Sequence, residues 1–357
     1  MPTKKSSFDE IYNDRKEAVI ILKNDEIEYI NPKYKEIYSH KRPSEVIPNE
    51  LISRSGDEFS AACYANGAVT IIKRTAKENL KIFELKVIEK RYEVTSVPKA
   101  TGSMRNAMFT MRLTAEKLFD KEVIGNKEGE NAVYSNLFYH NYYMLLHAID
   151  NINMASDLYR KTIFFEPAYQ EMCSFCRDLA LSVNSIMRES SVLIEFSSDI
   201  DRAIIQIDAK LMEVALLNLI TNAAASTGSD NKVLIQVKDG ESSMSVSVSD
   251  TGEGINLDYL ELSLRGALID NAFEASCKTG LGLYIVHGIM ELHDGIFLIE
   301  NTGEGARATL IIPKEMSKIA KIRTTELEYR SDTYENILVA LASISNNKNY
   351  DLPINVD

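Results

Sequence analysis

Two asparagines four residues apart, Asn218 and Asn222, stand in the apolar run from Leu216 to Ala223. That spacing puts both amides on one face of a helix, where an amide oxygen can serve a hard cation such as Mg²⁺. Further on, Asp250 closes the alternating stretch Ser245-Val246-Ser247-Val248-Ser249 and opens the turn Asp250-Thr251-Gly252-Glu253-Gly254. A carboxylate at a strand end can accept the amine proton of a flat polar base, and Gly252 and Gly254 let the backbone approach it without a Cβ in the way. The third segment, Thr279-Gly280-Leu281-Gly282-Leu283, leads into an apolar helix to Met290. Glycines there let the N–H groups of a helix N-terminus come close to phosphate. Each piece alone is weak. A lone Asn caps or faces solvent, and Asp-Thr-Gly-Glu-Gly can be a simple turn. Together, an amide for a hard cation, a carboxylate for a polar base and glycines for phosphate are groups that could serve a nucleotide with its metal.

Something must position these groups, and 357 residues suffice for two or three domains. Hydrophobic residues at 45% and charged residues at 26% fit a soluble globular protein. No apolar run approaches the roughly 18 residues of a membrane span, and no apolar core follows Met1 to Lys5 as in a signal peptide, so a cytoplasmic location is expected. A formal charge of −12 speaks against general nucleic-acid binding. Cys173 and Cys176 form a C-x-x-C pair, but in an apolar helical pattern with no partner pair nearby they read as small buried residues.

Residues 1–97 read as a small α+β domain. Glu17–Leu22 and Ile27–Ile30 look like strands joined by a turn, Asn31-Pro32 opens a helix through Tyr38, and Ala68–Arg74 and Leu80–Val97 carry strand composition. Pro98 to Ser103 reads as a linker with Ser103 as N-cap. From Met104, residues Met108, Met111, Ala115 and Leu118 mark an amphipathic helix, and a second runs from about Tyr134 to Arg160. Two such helices cannot bury their stripes alone, and pairing with a second copy is the simplest remedy. Residues 163–313 alternate helices and strands, and 314–357 hold one more helix, near Tyr334 to Ile344, and an end expected to be loose.

In this order the segments resemble the sensor histidine kinase family. The strand–strand–Asn-Pro–helix opening is similar to a PAS sensor domain, though another small α+β domain fits the same residues. The region 98–162 resembles the family's dimerisation hairpin, which forms a dimeric four-helix bundle. Residues 163–313 resemble its α/β-sandwich ATP-binding domain, with Gly303-Glu304-Gly305 as the last glycine turn. The fold class expected is therefore α+β and multidomain. The resemblance implies ATP and Mg²⁺ as ligands, with Asn222 as the magnesium ligand and Asn218 facing the same pocket. Asp250, Gly252 and Gly254 would take the base, and Gly280, Leu281 and Gly282 the phosphates, with Lys278, in place of the family's first glycine there, as a substitute phosphate contact. Phe273 would be the lid aromatic, and Thr309 would line the pocket.

Several positions depart from the family. Gly102 occupies the place of the phosphoacceptor histidine and Ser103 that of its acidic neighbour. Thr221 replaces an acidic residue beside Asn222, and Ala225 a frequent Lys or Arg. His140 and His147 share a face of the second helix, but they stand too near Asn222 to leave room for a hairpin between. The resemblance thus implies a two-component signalling protein that binds ATP yet does not autophosphorylate, a homodimer whose partner is a response regulator or another histidine kinase. An active kinase with an unorthodox acceptor, or one acting on a partner in trans, is the alternative. An anti-sigma type kinase and a scaffold with a dead pocket fit the residues less well.

Overall fold

The computed structural model describes residues 7–39, 41–54, 58–65, 68–77, 79–88, 98–118, 130–187, 192–227, 232–255, 281–315 and 333–344. The chain opens with helix α1 (Ser7–Tyr12) and the hairpin of β1 (Ala18–Lys23) and β2 (Glu26–Ile30). Asn24 and Asp25 turn the hairpin with φ of 52° and 65°, the primed-turn geometry that matches strand twist. Helices α2 (Pro32–Tyr38), α3 (Pro43–Val46) and α4 (Asn49–Ile52) follow, then β3 (Glu58–Ala65), β4 (Ala68–Lys77) and β5 (Leu80–Ile88). These strands pair antiparallel in the order β2-β1-β5-β4-β3. Strand β3 is absent from the sequence reading. Its Ser-Ala-Ala-Cys centre has little β propensity, and neighbours on both edges make it a strand. The strand expected over Leu80–Val97 ends at Ile88 among the described residues.

Asn31 fastens this domain together. Its buried Oδ1 accepts from the N–H of Val19 at 2.9 Å and of Tyr34 at 2.9 Å, the latter capping α2. Its Nδ2 donates to the carbonyls of Tyr12 at 3.2 Å and Glu17 at 3.0 Å. One side chain thereby joins helix, strand and the entering chain.

Two long helices come next, α5 (Pro98–Leu118) and α6 (Glu130–Arg160), joined across their faces by an Arg105–Asp150 ion pair at 2.7 Å. Helix α5 starts at Pro98, so the expected linker is helical and Ser103 is not its cap. Proline suits the first turn of a helix, and one interior glycine costs only about 1 kcal/mol relative to alanine.

The remaining chain makes β6 (Ala168–Glu171), α7 (Met172–Ile186), β7 (Leu193–Ser198), β8 (Ile204–Ile207) and α8 (Ala209–Ser226). It continues with β9 (Lys232–Asp239), β10 (Ser243–Asp250), α9 (Leu281–Leu292), β11 (Ile296–Asn301) and β12 (Ala306–Pro313). Helix α7 starts at Met172. The Glu171 carboxylate sets that point by accepting from the N–H groups of Cys173, Ser174 and Ala203 at 3.1, 2.6 and 2.8 Å, and β6 pairs with β8 before it. Cys173 and Cys176 are buried thiols, and burial pushes the Cys176 thiol up. The strand order is β11-β12-β10-β9-β7, with β7 parallel to β9, and α8 and α9 pack together against this sheet.

Two packing features are not expected from the sequence. The helix expected near Tyr334–Ile344 forms as α10 (Thr333–Ala340) and the 3₁₀ turn Leu341–Ser343, and these pack on α6, α7 and α8, with Ile337 and Leu341 fully buried in the main core. Strand β3 pairs antiparallel with β11, so the two sheets run on as one of ten strands. Among the described residues no helix is long and apolar enough to cross a membrane.

The bonding of Asn31 sets a test. Asn31→Ala removes a cap and leaves buried N–H and C=O groups without partners, and it should cost about 2–4 kcal/mol in urea unfolding of the intact chain. Asn31→Asp keeps the cap but turns a carboxylate toward the Tyr12 and Glu17 carbonyls, so it should not rescue that loss. Wild-type stability of the Asp variant would contradict the assignment.

Candidate functional site

Helix α8 is the spine of the site. Asp208 caps it, its Oδ1 accepting from Leu211 N–H at 3.2 Å and its Oδ2 from Glu166 N–H at 2.9 Å. Behind the cap lies His293, fully buried. Its Nε2 accepts from the Asp208 N–H at 3.0 Å, which leaves Nδ1 to donate to the Ile289 carbonyl at 2.8 Å. His293 thus ties the end of α9 to the start of α8.

Along α8, Asn218 is buried and its Nδ2 donates to Val214 C=O at 2.9 Å. Its Oδ1 lies where a Cβ on Gly282 would come to 2.8 Å, so the start of α9 sits directly on Asn218. Two turns on, the carbonyl of Ser226 stands 1.8 Å from a Cβ built on Gly252. The three segments singled out in the sequence therefore converge on one helix. Gly282 and Gly252 touch it eight residues apart, about 12 Å along the axis. Asn222 lies midway, exposed, and its amide makes no hydrogen bond to a described residue. A free amide oxygen of this kind fits a hard cation that keeps most of its waters. Thr221, beside it, is buried and its hydroxyl donates back to the Leu217 carbonyl. It is in no position to act as a base toward the pocket.

Asp250 marks the other end. Its Oδ1 accepts from Gly252 N–H at 2.9 Å and Ala306 N–H at 3.2 Å, while Oδ2 accepts no hydrogen bond among the described residues. One oxygen holds the turn and the other is left for a donor from outside. Gly305 makes room for this arrangement, since a Cβ there would meet the Asp250 carbonyl at 2.2 Å. Gly254 has φ +80°, and a Cβ would stand 2.7 Å from Asn301 Oδ1. Asn301 holds both backbone groups of Ile255, accepting at 2.7 Å and donating at 2.9 Å. Gly252 and Gly254 are thus fixed by protein packing, not only by room for a ligand.

Thr309 does not belong here. It pairs with Ser247, and since strand side chains alternate, it shares a face with Ser247 and Ser249, opposite to that of Asp250. From this strand it is the Ala306 amide that reaches Asp250, a contact no side-chain pattern reveals. Leu281 opens α9. Phe273, Lys278 and Gly280 lie outside the described residues. Gly102 and Ser103 lie in α5.

The other histidines on the hairpin do not complete a catalytic set. His147 Nε2 meets Asn151 Nδ2 at 3.1 Å, and burial holds its pKa down to about 4. Burial also lowers the His140 pKa. Both imidazoles are neutral near pH 7.

Two measurements check this geometry. Gly252→Ala drives a methyl into the Ser226 carbonyl and should cost about 2 kcal/mol or more. Gly303→Ala, with φ +89° but nothing within 4 Å, should cost only about 1 kcal/mol. Equal costs in urea titrations would contradict the packing. For His147 the unfolded chain binds the proton first, so stability is complete above about pH 6.5 and falls as pH drops toward about 4. His147→Gln should flatten the melting temperature over that window, and an unchanged profile would contradict the neutral buried ring.

Residues 207–316 match the family model described as histidine kinase-, DNA gyrase B- and HSP90-like ATPase. The chain is 34% identical over 116 residues to sensor histidine kinase ZraS of Escherichia coli O157:H7, covering 32% of this chain and 24% of that protein. It is 38% identical over 96 residues to sensor protein IrlS of Burkholderia pseudomallei (strain K96243), covering 26% and 21%. The match thus spans about a quarter of the length of these curated relatives. Among solved structures, full-length ShkA in complex with AMPPNP aligns with TM-score 0.50 at 20% identity, over 62% of this chain and 46% of that one, a likeness of fold alone. Residues 207–316 are an ATPase domain of the histidine kinase, gyrase B and HSP90 type, and over that stretch the chain is similar to sensor histidine kinases.

Proposed function

We propose that this chain is a two-component signalling protein that binds ATP with Mg²⁺ and does not phosphorylate itself. The observation that carries the ATP reading is the Oδ2 of Asp250, which accepts no hydrogen bond among the described residues, on a carboxylate that is buried and locked by its other oxygen. Such a group recognises an exocyclic amine, which adenine supplies. From there the α8 face runs past Asn222 to the N-terminus of α9 at Leu281 and Gly282. That course suits an extended nucleotide with its phosphates at a helix start and its metal at Asn222.

The loss of autophosphorylation rests on Gly102. Phosphoryl transfer depends on a positioned nucleophile, and glycine offers none. The buried, back-bonded Thr221 supports the same reading, since the neighbour of Asn222 has no base to offer. The first 97 residues are read as a PAS-like sensor, supported by the β1–β2 hairpin, the Asn31-capped helix and the antiparallel β3–β5. The hairpin is read as a homodimer contact. Phe109 and Met111 on α5 and Leu137 and Leu145 on α6 are exposed, and a groove of about 360 Å³ runs between the helices. A second copy offers the same stripe and closes a four-helix bundle. The downstream partner is a response regulator or another histidine kinase, in keeping with the family.

The test is incubation of the purified chain with γ-labelled ATP and Mg²⁺, with affinities measured on the same samples. The wild type should bind ATP and remain unlabelled. Asn222→Ala should weaken Mg²⁺-dependent binding at least about tenfold, the equivalent of about 1.4 kcal/mol. Acid-labile label on the protein would contradict the proposal, and His140→Ala and His147→Ala would then locate the acceptor.

A further inference from the structure

The junction of the two sheets is built like a protein interior. Ala61 to Tyr64 of β3 pair with Glu300 to Phe297 of β11. On one face Cys63 lies opposite Leu298, both buried in the core of the N-terminal domain. On the other, Tyr64 stacks on Phe297 at 4.8 Å and meets His287 at 5.3 Å. Each strand would otherwise be an exposed edge, and each covers the other.

At the end of this seam the N-terminal domain reaches toward the nucleotide site. The Arg54 guanidinium pairs with the buried carboxylate of Glu300, and its second nitrogen donates to the Asn301 carbonyl at 3.5 Å. Arg54 is itself held. It lies over the Phe59 ring at 5.0 Å, and its carbonyl accepts from Arg74 Nη1 at 2.6 Å. Asn301 in turn grips both backbone groups of Ile255 and abuts Gly254, a few residues from Asp250. A continuous set of polar contacts thus runs from a side chain of one domain to the turn that shapes the pocket of the other.

We propose that Arg54 is a positioning residue of the nucleotide site, acting across the β3–β11 seam through Glu300 and Asn301 on the Gly254–Ile255 turn. This rests on the ATP reading for its ligand but not for its geometry. Docking of the N-terminal domain and binding of nucleotide are then linked. A change that loosens β3 from β11 weakens nucleotide binding, and bound nucleotide tightens the seam by the same factor.

Two experiments on the full chain decide it. Leu298→Cys places a thiol opposite Cys63, and oxidation with copper phenanthroline should join the two, read by mass spectrometry of the linked peptides. Ile299→Cys, on the opposite face, should not link to Cys63. No Cys63 link in the first variant would overturn the docking. Arg54→Ala should then raise amide exchange across residues 251–255 in nucleotide-free protein, with exchange in α7 unchanged. It should also weaken ATP binding about fivefold or more, and Arg54→Lys should recover part of both effects. Unchanged exchange at 251–255 in Arg54→Ala would overturn the proposal, as would ATP affinity within about twofold of wild type. If the wild type binds no ATP, the ATP reading fails, while the exchange comparison still judges the role of Arg54.

Discussion

Burial of α8 on nearly every side is the constraint on which the rest depends. Its leucines, its isoleucine and Ala215, Ala223 and Ala224 carry almost no exposed surface, and even Asn218 and Thr221 are buried. A helix apolar all round has no solvent face and must be enclosed. The sheet strand β10, helix α9 and helix α10 enclose it, and hydrophobic burial at about 25 cal/mol per Å² makes that enclosure favourable. Asn222 is exposed, between the points where Gly282 and Gly252 meet the helix. The candidate pocket thus lies on a core helix, and its polar groups are held by a packed interior.

The same logic explains why histidine and glycine matter at its edges. His293 closes the space between the C-terminal turn of α9 and the cap of α8, satisfying the Asp208 N–H that α9 would otherwise bury unpaired. Gly252, Gly282 and Gly305 each stand where a methyl would strike a backbone or amide oxygen of a neighbouring segment. Hydrogen at Gly252 and Gly282 lets their segments approach α8, and hydrogen at Gly305 lets its segment approach the end of β10. The sheet that runs through β3 and β11 extends this rigid frame to the N-terminal domain, and α10 extends it to the long helix α6.

Much of this was legible in the residues. Spacing placed Asn218 and Asn222 on one helical face, and alternation placed Asp250 at the end of its strand. The turn at Asn24-Asp25 and the cap at Asn31 followed from local chemistry that needs no tertiary partner. What escaped depends on contacts between distant parts. Strand β3 has little propensity of its own, and α10, though expected as a helix, gives no sign in sequence that it packs on α6. Thr309 was misplaced because a motif carries no sheet register, and register decides the face. His293 gave no signal, since a buried histidine looks the same in sequence whether it packs or hydrogen-bonds. The start of α5 was drawn too late because Pro98 and Gly102 read as breakers, although proline favours a first turn.

The central claim is that the free oxygen of Asp250 selects an adenine nucleotide on the open face of α8. Calorimetric titration of the intact chain with ATP and with GTP, each with Mg²⁺, tests it most directly. Adenine offers the carboxylate an amine, whereas guanine presents a carbonyl oxygen at that position and repels it. The account predicts that ATP binds and that GTP binds at least about tenfold more weakly, with the preference lost in Asp250→Asn. Equal affinity for the two nucleotides, or no binding of either, would contradict it.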